Sequence, residues 1–298
     1  MRRSATIVFS VLSAASLTAV PVLRAQTRAG SSATSAIAPR AIPAGHYEFT
    51  STDDDGDITT GSVSWIGKQL RIDLDRSRRH RREANRGAVV TASTSHDRGE
   101  YMLVDFSTNL VRTVKPEKHE ISEMPLATFE QIIGKALGMV GSVVQMQVRD
   151  AGILGKDVGA GGQVAGVATE QYRLIEEYNV RIGVFGMNAE EKHHRVVTEY
   201  WVPTQASLPR NPMFELLLRG ASATAQQDAT HQANVSRARA ALFAGFPIKA
   251  VVTVNVAGES PTRASVEITS LTTASPDASL FVAPAGYRVK KDDFSFSL

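Results

Sequence analysis

Alternation of apolar and polar residues, the pattern of half-buried strands, runs through most of the chain from residue 45 onward. In segment 69–75, Leu70, Ile72 and Leu74 share one face, and the charged residues share the other. Asp-Gly at 55–56 and Gly-Lys at 67–68 are typical of hairpin turns. The pattern predicts strands at 46–49, 58–66, 69–75, 101–106, 110–115, 143–148, 168–177, 179–185, 193–202, 248–256 and 263–272, with glycine-rich 152–166 as a loop.

Two stretches instead predict helices, and in the first of them the apolar residues recur every three or four positions, which indicates an amphipathic helix. The first stretch covers 126–140. The second begins at Asn211-Pro212, an N-cap followed by proline at the first helical position, and continues through an Ala- and Gln-rich region to 244. Hairpin-linked strands with two helical inserts predict a mainly β (α+β) fold, in which an antiparallel sheet carries helices on one side.

The N-terminal residues have the order of a secretory signal peptide. Arg2 and Arg3 precede an apolar run over 5–22, and Ala25 supplies a small residue for cleavage. The predicted organisation is therefore a signal peptide over 1–25, a flexible Ala/Ser/Thr/Pro leader over 26–44 and a single domain over 45–298. The predicted location of the mature protein is the periplasm or the outside of the cell.

Removal of that signal changes the net charge. The chain holds 33 Lys and Arg against 30 Asp and Glu, and the signal contains Arg2, Arg3, Arg24 and no acid, which leaves 30 of each sign. A neutral mature chain argues against nucleic acid as a partner. The absence of cysteine excludes disulfides, thiol chemistry and a lipidated cysteine. We therefore expect a soluble mature chain without a transmembrane anchor.

Sequence motifs for catalysis or metal binding are missing. Neither a Gly-x-Ser-x-Gly elbow nor a His-Glu-x-x-His motif occurs. His193 and His194 are adjacent in a predicted strand, so their side chains point to opposite faces and cannot readily share a metal. The acidic run 53–57 lacks the glycine and glutamate of a calcium loop, and 150–157 lacks the pattern of a phosphate loop. These observations predict no catalytic residue, no metal and no cofactor.

Several segments resemble LolA/LolB-type periplasmic proteins. Trp65-Ile66-Gly67-Lys68, followed by 70–73, is similar to their second hairpin. The other similarities are Gly-x(5)-Tyr at 166–172, an aromatic strand at 200–202, Gly-x-Pro-hydrophobic-Lys at 245–249 and Phe-x-x-Pro-x-Gly-Tyr at 281–287. The chain most resembles an uncharacterised secreted bacterial family of that superfamily. The resemblance implies a curved, unclosed antiparallel half-barrel with helices packed on its concave face, a hollow that takes acyl chains in characterised relatives.

The apolar helix residues have two interpretations. They form core, or they line a hollow between the helices and the sheet that could take an acyl chain. The candidate ligand-binding residues are Leu126, Phe129, Ile133, Leu137, Phe214, Leu217, Leu218, Leu242 and Phe243. A separate arginine cluster could contact an anionic headgroup through Arg78, Arg79, Arg81 and Arg82.

Three functional hypotheses follow. The leading one is an exported, non-enzymatic protein that binds a hydrophobic or lipid-like ligand, or an acylated protein, in the cell envelope. The alternative is an envelope interaction or sensor domain with a fully packed interior. A hydrolase ranks third, because the sequence offers neither a nucleophile nor a metal constellation.

Overall fold

β-Strands make up most of the computed structural model, which describes residues 40–53, 56–74, 99–130, 145–183, 190–214 and 229–291. Its strands are β1 (Arg40–Ala41), β2 (Ala44–Thr52), β3 (Ile58–Ile66), β4 (Gln69–Leu74), β5 (Tyr101–Asp105), β6 (Leu110–Lys115), β7 (Glu120–Pro125), β8 (Gln145–Val164), β9 (Val167–Gly183), β10 (Glu190–Pro203), β11 (Ala206–Ser207), β12 (Lys249–Val256), β13 (Thr262–Thr272) and β14 (Arg288–Lys291). The helix α1 spans Ala229–Leu242, and residues 126–130 and 212–214 are also helical.

Twelve of these strands form one sheet in the order β14-β7-β6-β5-β4-β3-β2-β13-β12-β10-β9-β8. Neighbours are antiparallel except β14, which pairs in parallel with β7. Two meanders, β2 to β7 and β8 to β10, are joined by the β12–β13 hairpin, because β13 pairs with β2 and β12 with β10. The edge strands β8 and β14 do not pair with each other, so the predicted mainly β fold with a large unclosed sheet is confirmed.

The predicted loop at 152–166 is wrong, because β8 continues through this segment to Val164. Backbone pairing with β9 holds the glycine-rich strand, and three register shifts between residues 149 and 162 take up its irregular positions. β9 is also continuous where two strands were predicted, and β7 lies where none was predicted. In each case pairing with a neighbouring strand, which local alternation does not report, decides the strand.

The predicted helices fall partly within the described residues. Asn211 is the N-cap that the sequence indicates, since its Oδ1 accepts a hydrogen bond of 3.0 Å from the Met213 N–H. Helix α1 ends at Leu242, two residues before the predicted end. Residues 131–140 and 215–228 lie outside the described residues. Across the parts of the chain that the structure describes, no helix is both long and apolar enough to span a membrane.

The main core lies on one face of the sheet, called here the inner face. Alternate residues point to it, for example Tyr47 and Phe49 in β2 and Trp65 in β3, and every strand of the large sheet except β14 contributes. The Trp65 ring N–H donates to the Ile42 carbonyl over 2.9 Å. Gly45 packs so closely against the Trp65 ring that a Cβ atom would clash. The main core is therefore a continuous aromatic and aliphatic cluster, and the same face carries a second, smaller cluster of Tyr178, Val180, Val196 and Val252.

The opposite, outer face carries a smaller apolar cluster on β5, β6 and β7. It consists of Tyr101, Leu103, Val114 and Ile121. The C-terminal strap, defined as residues 278–291, covers this cluster with Ala283 and Tyr287. Arg288 and Lys290 of the strap form ion pairs with Glu120 of β7.

Candidate functional site

Helix α1 packs against β8 and β9 on the inner face. Its contacts with the main core come from Val235 and Ala238, two small side chains about one helical turn apart. Most other residues of the helix are polar or are alanine. The inner surface under α1 is therefore covered by a short helix with few large apolar side chains.

Half-buried apolar side chains lie where α1 ends. The Phe243 ring lies 5.2 Å from the Tyr172 ring and 5.0 Å from the Tyr200 ring, measured between centroids. Leu242 lies over the bare backbone of Gly155, where an added Cβ would be 3.3 Å from the leucine Cδ1. Tyr172, Leu242 and Phe243 are half-buried, and Tyr200 is buried. We call these four residues the aromatic shelf.

Strand register explains why these rings meet. Alternate residues of both strands point to the inner face, namely 172, 174, 176, 178 and 180 of β9 and 194, 196, 198 and 200 of β10. The register sets Tyr172 opposite Tyr200 and Tyr178 opposite His194. Aromatic pairs across neighbouring strands stabilise such a sheet. The sequence of two strands thus builds one wall of the shelf.

A buried polar cluster adjoins the shelf. Glu176 of β9 accepts a hydrogen bond of 2.9 Å from Nε2 of His231 on α1, and both side chains are under one-tenth exposed. The His231 ring contacts the Tyr178 ring edge to face at 5.0 Å. On its other side Tyr178 is stacked on His194 at 5.4 Å. The cluster therefore links α1 to two strands through titratable side chains.

Burial sets the protonation of this cluster. Desolvation raises the pKa of Tyr178 well above its ordinary value, and the Glu176 carboxylate raises it further. Burial likewise raises the pKa of Tyr200, partly offset by Arg239. Desolvation lowers the pKa of His194. The tyrosines and His194 are consequently neutral near pH 7.

The cluster does not have the geometry of a metal centre. Over the described residues, no three His, Asp or Glu side chains converge on a point where a metal could bind. His193 points outward, where its Nδ1 lies 3.2 Å from Asn179, while His194 is buried. The prediction that these two histidines face opposite sides of the sheet is confirmed.

The structure divides the predicted ligand-binding residues. Leu126, Phe129 and Phe214 are buried in the main core. Leu242 and Phe243 belong to the aromatic shelf. The remaining candidates lie outside the described residues, namely Ile133, Leu137, Leu217, Leu218, Arg78, Arg79, Arg81 and Arg82.

The polar cluster was missed in the sequence. One signal for it existed, since Glu176 has the same strand parity as Leu174 and Tyr178 and so points to the core side. A carboxylate at such a position requires a buried partner. The partner, His231, lies 55 residues further along the chain, beyond the reach of any local pattern.

The outer face of the same strands carries a shallow cleft of about 390 Å³. Its lining residues are Arg173, Ile175, Arg195, Val197, Glu199, Thr253 and Asn255. Arg173 pairs with Glu199 at 2.7 Å and Arg195 pairs with Glu177 at 2.9 Å. This surface is apolar along its middle and has paired charges on either side.

No protein-family model matches this chain, and no curated protein matches it. Among solved structures, it is similar to one described as the crystal structure of an uncharacterized conserved protein from Thermus thermophilus. The two chains are 8% identical, and the alignment covers 83% of this chain and 90% of the other with a TM-score of 0.33. A similarity this low supports no argument about fold or function, so the function must be argued from this chain's own residues.

Proposed function

We propose that this protein is exported to the cell envelope and there binds, without catalysis, a hydrophobic or lipid-like ligand or the acyl chain of an acylated protein. The single observation that carries the proposal is the aromatic shelf. Tyr172, Leu242 and Phe243 are half-buried apolar side chains on the face that elsewhere forms the core. Apolar groups that continue a core to the surface are typical of ligand-binding grooves.

The chemistry of the shelf suits an acyl chain. Burial of a methylene group contributes about 0.8 kcal/mol, so a chain of roughly ten carbons could bind without any charged contact. The rings of Tyr172, Tyr200 and Phe243 offer flat apolar surfaces against which such a chain can lie. Because Val235 and Ala238 have small side chains, the overlying helix fills little of the space beside the shelf.

The finer fold that we propose is the LolA/LolB-like half-barrel, with α1 on the concave face. Supporting this, β13 and β8 approach within 8 Å between Cα atoms although β12, β10 and β9 separate them. A flat sheet would hold these two strands about 19 Å apart. Curvature of this kind gives the inner face a hollow that α1 partly fills.

Titration of the purified, delipidated protein with Nile red, an uncharged apolar dye, tests the proposed function. We expect saturable binding with a blue-shifted emission. Phe243→Ala should weaken the affinity about tenfold, because loss of a half-buried ring removes on the order of 1.4 kcal/mol of apolar contact.

Tyr287→Ala is the matched control, because Tyr287 is also a half-buried aromatic residue but packs on the outer face. It should leave the dye affinity unchanged. Native mass spectrometry of protein purified from its own cell envelope should detect a co-purified lipid. Absence of saturable binding, or equal affinities in all three proteins, contradicts the proposal.

A second candidate function is an interaction or sensor domain with a fully packed interior. The observation that favours it is the burial of Leu126, Phe129 and Phe214 within the main core. The outer cleft around Val197 would then be the docking surface. In that case Nile red does not bind saturably, and cross-linking in the native envelope captures a protein partner that Val197→Asp no longer captures.

A further inference from the structure

The polar cluster next to the proposed binding site contains a carboxylate whose hydrogen-bond partner belongs to a different element. Glu176 is fixed on β9, whereas His231 comes from α1. The glutamate side chain is 8% exposed and the histidine side chain 2% exposed. A buried carboxylate must keep a hydrogen-bond donor, so any ligand that displaces the first turn of α1, which carries His231, has to replace the histidine.

The contacts that hold α1 make such replacement feasible. Val235, Ala238 and Leu242 supply its apolar contacts with the sheet side. The buried Glu176–His231 pair adds little net stability, because the desolvation of both groups offsets their attraction. A ligand that buries its chain on the aromatic shelf and displaces only the first turn of α1 can therefore compete with His231 for the carboxylate.

A second buried polar group, on the neighbouring strand β10, shares Tyr178 as a ring contact with His231. His194 is 5% exposed, and its Nδ1 has no hydrogen-bond partner among the residues that the structure describes. Its ring lies against Tyr178, which also contacts His231. Buried polar atoms in native proteins nearly always have a partner, so a water molecule or a polar ligand atom is expected beside this one.

We propose, on the basis of the proposed function, that Glu176 selects the head of the ligand. The head is uncharged or cationic and carries an O–H or N–H group, which donates to the carboxylate in place of His231. A carboxylate or phosphate head is rejected, because two negative charges repel strongly in a poorly hydrated site. The ligand class is thus a single acyl chain with a hydroxyl, amide or ammonium head.

Arg239 does not reverse this selection. It lies on α1 eight residues after His231, beyond the first turn, and already interacts with the hydroxyl of Tyr200. The Arg239 side chain is half-buried and still in contact with solvent, whereas the Glu176 side chain is buried. The negative charge on the sheet therefore dominates the potential that the head meets.

Displacement of bound Nile red by three twelve-carbon compounds tests the selection. The compounds are 1-monolauroylglycerol, dodecylamine and laurate, measured below their micelle concentrations. On the wild-type protein, laurate should require an at least about tenfold higher concentration than either of the others. Glu176→Gln should reduce that difference to within about threefold, because the neutral amide no longer repels the anion.

Glu177→Gln is the matched control and should keep the wild-type order. The Glu177 side chain is next to Glu176 in the chain but points to the outer face. If Glu176→Gln does not fold, the order of the three compounds on the wild-type protein tests the selection by itself. Laurate binding as tightly as monolauroylglycerol, or an unchanged order in folded Glu176→Gln, overturns the selection while ligand binding itself stands. If none of the three displaces Nile red, the proposed function fails and the selection with it.

Discussion

At the scale of single residues, the Glu176–His231 pair has an energetic signature that distinguishes it from a surface ion pair. Loss of Glu176 breaks a buried pair and removes the 2.9 Å hydrogen bond that this carboxylate accepts from His231. Glu176→Ala should therefore lower the free energy of unfolding by about 3–5 kcal/mol. The double variant Glu176→Leu with His231→Leu should lie within about 1 kcal/mol of the wild type, because both polar groups are gone.

Urea denaturation followed by circular dichroism measures both values. The exposed pair Arg195–Glu177 supplies the comparison, since Glu177→Ala should change stability by less than about 1 kcal/mol. A single variant as stable as the wild type would show that the pair is not buried in solution.

His194 should make the stability depend on pH. Burial lowers the pKa of the folded-state imidazole below its ordinary value of 6.5, so the unfolded chain binds a proton first as the pH falls. Stability should then decrease as the pH drops below about 6.5. The neighbouring charged and titratable groups are Tyr178, His193, Lys192, Glu259 and His231.

Thermal melts at pH 7 and pH 5 measure this effect. His194→Phe should reduce the difference between the two melting temperatures, because the ring is kept and the titration is removed. His193→Phe, the exposed neighbour, should keep the wild-type difference. An equal pH response in all three proteins would assign acid sensitivity to other groups.

At the scale of elements, local alternation predicted strands well where one face is apolar and the other is polar. Segment 69–75 is such a case, and β4 lies there. Local alternation failed to predict β8, where glycine is frequent and nearly every side chain from residue 149 to 158 is exposed. Pairing with β9 forms that strand, and the pairing partner begins three residues after β8 ends.

The candidate site shows the same division between local and long-range information. Leu242 and Phe243 were selected because helix periodicity marks apolar side chains. Glu176, Tyr178 and His194 have a parity that can be counted within each strand. Their convergence under α1 depends on the β9–β10 register and on the helix docking, neither of which is encoded within a short window.

The C-terminal strap is an element whose attachment can be tested separately. Arg288 and Lys290 lower the pKa of Glu120, which shows that the ionised carboxylate favours the attached strap. Glu120→Ala should speed amide hydrogen exchange of β14 while leaving exchange in β2 and β3 unchanged. Glu117→Ala, an exposed acid three residues away, is the control and should change neither. Unaltered exchange in β14 would mean that Tyr287 and the backbone pairing suffice.

At the scale of the whole molecule, the main core should make the two meanders unfold together. Leu174 of β9 and Trp65 of β3 belong to the same cluster, although they come from different halves of the sheet. Differential scanning calorimetry should therefore show one transition whose calorimetric and van't Hoff enthalpies agree. Two resolved transitions would indicate that the β8–β10 meander is an independent unit.

The pairing of β2 with β13 governs when the molecule can assemble. Thr269 of β13 donates to the carbonyl of Glu48, a partner 221 positions earlier in the chain. Closing so long a loop makes folding slow, since the entropy must be lost before the central contacts form. A chain that crosses a membrane from its N-terminus, as in the proposed export, could not form the β2–β13 pairing until almost its last strand had crossed. The pairing that joins the two halves of the folded sheet therefore also delays folding until export is nearly complete.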